Sequence, residues 1–281
     1  MRRSPKPADA GQAMIGALKA RRPIAEKVMI VAAHPDDETI GLGAQLCRLN
    51  NALLVHVTDG APRDGKDAAA YGFATLADYA AARRAELIAA LAAGEAANVR
   101  TACLEIVDQE AIYRLVSLTN RVRELLDQEN PCAVVTHAYE GGHPDHDAAA
   151  FAVHAACLLM PQPPAILEMA LYHRRDGRLV SSEFIEPAPR RKPGREVYCA
   201  TLALDADELR RKQRMIDCFM AQRWLLMQLD TAVERLRIAP DYDFRAPAHP
   251  GELHYETLGW GITGADWRRR AAMVLAELGL D

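Results

Sequence analysis

Nothing in this chain approaches the ~18 consecutive apolar residues that a bilayer-spanning helix requires, so no membrane span is expected. A basic excess is missing as well. The formal net charge of -4 argues against non-specific nucleic-acid binding, which needs a basic surface. There is no Cys-x-x-Cys pair: Cys47, Cys103, Cys132, Cys157, Cys199 and Cys218 are scattered, several of them inside apolar runs where a free thiol behaves as a small hydrophobe. A reducing cytoplasm is the setting that suits them. Internal repeats of the solenoid kind are absent. Near the N-terminus the apolar piece 13–18 is shorter than a signal peptide's core and is followed by Lys19. Residues 1–26 therefore read as a mobile lead-in or a short surface helix.

What is present is an ordinary globular composition, 50% hydrophobic and 26% charged over 281 residues, enough for one large α/β domain or a domain with an appendage. Strand patterns fall at 28–32, 52–58, 101–107, 132–136 and 165–172, and helical ones at 38–50, 77–93, 111–129 and from about 147 to 160. That alternation predicts a mainly parallel sheet covered by helices on both faces, a Rossmann-like three-layer α/β fold. A Pro/Arg/Lys loop is expected at 186–194, between strands near Leu179 and Tyr198. A long helix capped by Asp205 or Asp207 should run to about Leu229. After 238 the chain loses period until a short closing helix at 267–278.

The stretch that organises the chain is Val28-Met29-Ile30-Val31-Ala32-Ala33-His34-Pro35-Asp36-Asp37-Glu38. A β-branched apolar run reads as a buried strand of a parallel sheet. It ends in an imidazole and three carboxyls, at the strand end where open α/β sheets bind ligands. The pattern returns at His143-Pro144-Asp145-His146, again after a strand and before a helix. Two such clusters at one sheet edge would bring three imidazoles and three aspartates together. Two histidines and one carboxylate form the ligand set of a catalytic zinc with an open position, and the remaining groups are free to move protons. Spacing alone leaves open which of Asp36 and Asp37 touches the metal, because successive side chains leaving a strand point to different sides.

The pair A-H-P-D-D-E and G-G-H-P-D-H resembles the PIG-L / LmbE family of zinc-dependent N-acetylglucosamine deacetylases, over about 27–172 and on to Lys212-x9-Gln222. The resemblance implies that His34, Asp37 and His146 ligate Zn²⁺ (or another divalent transition metal such as Fe²⁺) and that Asp36 is the general base. It makes His143 the acid and oxyanion partner, and Asp145 a residue that orients or tunes a histidine. Arg83 and Asp108 match positions that hold sugar hydroxyls. The implied organisation is a lead-in at 1–26, a deacetylase domain at 27–237 and a C-terminal extension at 238–281 packed on the same domain.

The expected partner is a small sugar or glycoconjugate, without nucleic acid, and the residues do not fix whether the chain forms a homo-oligomer. Beyond about residue 175 no substrate-specific signature is recognisable. Hydrolysis of another N-acyl compound (a thiol conjugate or an acylated secondary metabolite) is the alternative, and a non-enzymatic metal- or sugar-binding protein the third reading. Outside the motifs, Glu38 reads as a complement to its helix dipole, His56 and His154 as structural histidines. His137 and Tyr139 are candidates for the cleft rim.

Overall fold

A computed structural model describes residues 7–185 and 198–280. The loop expected at 186–194 lies outside them. Nine strands, β1 (Val28–Ala32), β2 (Ala52–Thr58), β3 (Arg100–Ile106), β4 (Ala133–His137), β5 (Ala165–Met169), β6 (Tyr172–Arg175), β7 (Arg178–Ser181), β8 (Cys199–Ala203) and β9 (Val233–Ile238), occur among the described residues. Seven form the central sheet in the order β3-β2-β1-β4-β5-β9-β8. The pairs from β3 to β5 are parallel, and β9 and β8 are added antiparallel. β6 and β7 form a separate hairpin.

The helices are α1 (Pro7–Lys19), α2 (Asp37–Leu42), α3 (Lys66–Ala70), α4 (Leu76–Ala93), α5 (Leu115–Glu129), α6 (Pro144–Leu158), α7 (Ala206–Ile216), α8 (Arg223–Leu226) and α9 (Gly264–Glu277). Alternate residues of β1 divide between two cores: Val28, Ile30 and Ala32 face a layer with α1, α2, α4 and α7, while Met29 and Val31 face one with α5, α6 and α9. This is the covered, mainly parallel α/β architecture expected. None of the helices described is long and apolar enough to cross a membrane.

Four local departures have physical causes. Among the described residues the N-terminal segment forms a helix at the surface whose inner face is part of the fold: α1 buries Met14, Ile15 and Leu18 in the first core, close enough to β5 that a Cβ on Gly11 would stand 3.2 Å from Leu167. Its apolar stripe occupies one helical face, which the length of the run does not reveal. The helix expected at 38–50 stops at Leu42, because the Glu234 carboxylate accepts the Ala44 N–H at 2.8 Å and the Gln45 amide at 3.1 Å. The helix capped by Asp205 ends at Ile216, and the turn after it is held by α4: Glu86 accepts from Ala221 N, and the Tyr79 hydroxyl donates to Ala221 O. β9 carries no clean apolar alternation because its Glu234 and Arg237 are buried as ion pairs. The segment after 238 sends Phe244, Leu253, Tyr255, Ile262 and Trp267 into the second core.

Candidate metal centre and active site

β1 and β4 are direct parallel neighbours, so the turns that follow them meet at one edge of the sheet. The first turn is strained. Asp36 has φ 144° and ψ -27°, a conformation whose cost is of order 1–3 kcal/mol for a non-glycine residue. Its surroundings over-determine it: Asp36 N donates to Glu38 Oε2 at 3.2 Å, while the Asp36 carbonyl accepts from Thr39 and Ile40 at the start of α2. Glu38 is itself fixed by the Thr39 hydroxyl and by His56, 3.0 Å away inside β2. The second turn depends on Gly142, where a Cβ would lie 2.1 Å from the Tyr172 carbonyl, so the close approach of β6 admits only glycine. Pro144 then opens α6, and the His143 ring accepts the Asp145 N–H on Nδ1 at 3.1 Å.

All the motif side chains arrive in one buried volume. Asp37 Oδ2 accepts the His34 backbone N–H at 2.7 Å and lies 3.3 Å from His34 Nδ1, while Asp37 Oδ1 lies 3.2 Å from His146 Nε2. His34 Nε2 faces Asp108 Oδ1 at 3.2 Å and Asp145 Oδ2 at 3.3 Å. His34, His143 and His146 offer ring nitrogens within 4.8 Å of one another, as do Asp37, His137 and His146 with one ligand atom each. A metal ion could be held here. The set His34, Asp37 and His146 straddles the two groupings.

Hydrogen bonding sorts the donors. His137 turns Nε2 toward Asp37 at 3.4 Å, but that nitrogen already accepts the Ala33 N–H at 2.8 Å. With Nδ1 of His143 accepting from Asp145 N, its neutral ring carries hydrogen on Nε2 and is a donor there. His34 can give its Nε2 hydrogen to the Asp145 carboxylate, leaving the Nδ1 lone pair turned toward Asp37. His146 Nε2 is buried without a hydrogen-bond partner, since its 3.2 Å approach to Asp37 is not aligned as one.

Asp145 joins the two turns. Its carboxylate also accepts Gln109 N at 2.6 Å and Ala111 N at 3.1 Å, so it fixes the loop after β3 and the His34 ring together. Asp108 stands in the histidine cluster with Oδ1 unbonded. Arg83 is buried behind the first turn. Its guanidinium is 2% exposed and donates to Pro35 O, Gly60 O and Asp36 Oδ2, at 2.8, 2.9 and 3.2 Å.

Tyr139, a candidate for the rim, is turned into the second core against Phe244 and Trp267, where it donates to Ala246 O. His137 is buried and stacked on His146 with ring centroids 4.1 Å apart. Trp260 was not singled out by any sequence pattern, yet its indole meets His143 edge-on at 4.8 Å. An aromatic in an aperiodic tail carries no signal until the tail is folded.

Burial dominates the electrostatics. It lifts Asp36 to about 8, with Arg83 opposing and Asp37 adding to the rise. Burial also works against a charged His34, but Asp108, Asp145 and Asp37 outweigh it and hold that histidine well above its ordinary value. Asp37 goes the other way. Burial would raise it, and the imidazoles of His146 and His137 hold it well below the carboxylate range. Burial, reinforced by His34 and His146, keeps His143 low, in its neutral form.

A comparison with curated proteins gives no match. Among solved structures, a teicoplanin deacetylase in complex with teicoplanin superposes with a TM-score of 0.59 at 19% identity, covering 77% of this chain and 100% of that one. The A40926 pseudoaglycone deacetylase Dbv21 gives 0.58 at 17% identity, covering 78% and 100%. GalB, the 4-carboxy-2-hydroxymuconate hydratase of Pseudomonas putida, gives 0.50 at 14%, covering 78% and 98%. These likenesses establish the fold, and a hydratase among them shows that the fold alone does not name the reaction. The sequence is more specific: residues 29–157, which carry both histidine turns, match the family PIG-L, GlcNAc-PI de-N-acetylase.

Proposed function

We propose that this protein is a zinc-dependent hydrolase that removes the N-acetyl group from an N-acetylglucosamine-type sugar or glycoconjugate. The observation that carries the reading is the meeting of Asp37 Oδ1 and His146 Nε2 at 3.2 Å, a carboxylate oxygen and a buried ring nitrogen with no aligned hydrogen bond between them. A carboxylate oxygen and an unpartnered ring nitrogen at this distance are complementary to a cation or a shared proton. His34 Nδ1, Asp37 and His146 Nε2 would hold the ion, and Fe²⁺ would use the same donors.

A bound zinc supplies a water of lowered pKa and polarises a carbonyl. The chain's own groups do the rest. Asp36, whose proton affinity is raised by burial beside Asp37, accepts a proton from the attacking water as a general base. Arg83 holds Asp36 and the strained turn in place from behind. His143, with hydrogen on Nε2, donates a hydrogen bond to the developing oxyanion beside the leaving nitrogen, and the proton that Asp36 takes from the water passes on to that nitrogen. Asp145 keeps His34 in the tautomer that leaves Nδ1 free. The scattered cysteines, with no Cys-x-x-Cys pair among them, suit a reducing cytoplasm.

The test is metal content together with acetate release from N-acetylglucosamine. We expect about one zinc per chain, loss of turnover on chelation and recovery on adding zinc back. Undiminished acetate release from fully chelated protein would sink the reading. An acylated secondary metabolite is the second reading, supported by the fold likeness to deacetylases of teicoplanin and of the A40926 pseudoaglycone. It employs the same residues, and a panel of N-acyl substrates separates the two.

A further inference from the structure

The reacting groups are almost sealed. His34, Asp36, Asp37, His143 and His146 are each no more than 7% exposed. The cavity beside His146, between His137, Glu140, Gly142 and Tyr172, measures about 10 Å³, the room of one water. Something above the site must give way before a sugar can reach it.

The indole of Trp260 covers His143, with ring centroids 4.8 Å apart and planes at 64°. Unlike Trp267, which is wholly inside, Trp260 is only half-buried. It sits between Gly259 (φ +71°) and Gly261 (φ +72°), and no atom lies within 4 Å of where a Cβ on either would stand. The stretch is anchored on both sides of this turn to the loop that carries His143. His254 N donates to Gly141 O at 2.8 Å, and Trp267 Nε1 donates to Pro144 O at 3.4 Å. Between two fixed points, left-handed glycines in open space allow the indole to swing while its anchors stay put.

Which part of a substrate would meet it follows from the chemistry. In the mechanism proposed above His143 hydrogen-bonds the developing oxyanion beside the departing nitrogen, so the group bearing that nitrogen comes within reach of Trp260. We propose that Trp260 is the platform on which the amine-bearing sugar ring packs, a specificity residue supplied from outside the 29–157 domain. The inference rests on the deacetylase reading. An indole face suits the C–H-lined face of a pyranose, and a large, stiff aromatic orders at little entropic cost.

The experiment compares kcat and KM of the zinc-loaded full chain on N-acetylglucosamine and on the acyclic N-acetylethanolamine. Trp260→Ala should raise KM for the sugar about tenfold with kcat nearly unchanged, and leave kcat/KM for the acyclic amide as it was. Trp260→Phe, which keeps a ring, should recover most of the sugar's KM. Equal losses on both substrates, a loss confined to kcat, or no change at all would overturn the proposal. If the wild type cleaves only the sugar, the KM-against-kcat split of the two variants decides by itself. A wild type inactive on both amides sinks the deacetylase reading and this inference with it. A wild type active on the sugar, with Trp260→Ala indistinguishable from it, sinks this inference alone.

Discussion

Buried charge is arranged in opposite ways on the two sides of this sheet. At the carboxyl ends of β1 and β4, the carboxyls of Asp36, Asp37, Asp108 and Asp145 crowd around His34 with the guanidinium of Arg83 on Asp36. Along β9 the charges are matched: Lys212 Nζ meets Glu234 at 3.0 Å, and Arg237 Nε meets Glu168 at 2.6 Å. The matched pairs tie elements together, since Lys212 also donates to Ile40 O and Glu234 caps the end of α2. The unmatched cluster is a standing demand for positive charge, at the place where the backbone is most strained. Structural ion pairs satisfy themselves, whereas a site for a cation is left incomplete on purpose of its chemistry.

Substitutions can break this contrast at different depths. The largest effect is expected from His34→Ala or His146→Ala, which should take the metal from about one per chain to near none and turnover with it; elemental analysis beside an acetate assay reads both. Next, Asp36→Asn should keep the metal and lower kcat on the order of 10²–10⁴-fold. A near-normal rate would remove Asp36 from the role of base. On the matched side, Lys212→Met leaves Glu234 buried and unpaired and should destabilise the fold by about 3–5 kcal/mol in denaturant unfolding. A variant as stable as the wild type would show that the pair is not what braces α2.

The smallest effect is the most diagnostic. Asp36 must be ionised to act as a base, so activity should rise with pH through its folded-state pKa. The Arg83 cation lowers that pKa against burial. Arg83→Gln should therefore move the acid limb of kcat/KM to higher pH, by on the order of one unit. A limb that stays put, or moves down, means that Arg83 does not tune Asp36.

Much of the first half was legible because its signals are local. The run Val28 to Ala32 is apolar on both faces, and the polar residues packed behind it mark a strand end. Proline after histidine marks both turns. The second half hid its strand β9 because Glu234 and Arg237 look like surface residues until their partners, on α7 and β5, are in place. The setting of Arg83 was hidden for the same reason: an arginine on an alanine-rich helix shows nothing of the carbonyls of Pro35 and Gly60 that engage it. Gln222, in the matched Lys212-x9-Gln222 pair, finds its partner in Tyr79, more than a hundred residues earlier, with 2.6 Å between them.

The order of residues by itself determined which side chains would stand at strand ends, because strand period and turn chemistry are properties of a few neighbouring residues. Only the tertiary structure decided what those side chains do. It set which imidazole nitrogen is already engaged by a backbone N–H, which carboxylate faces an unfilled acceptor, and that an indole from residue 260 closes over His143. Lone pairs, burial and partners exist only once distant segments touch.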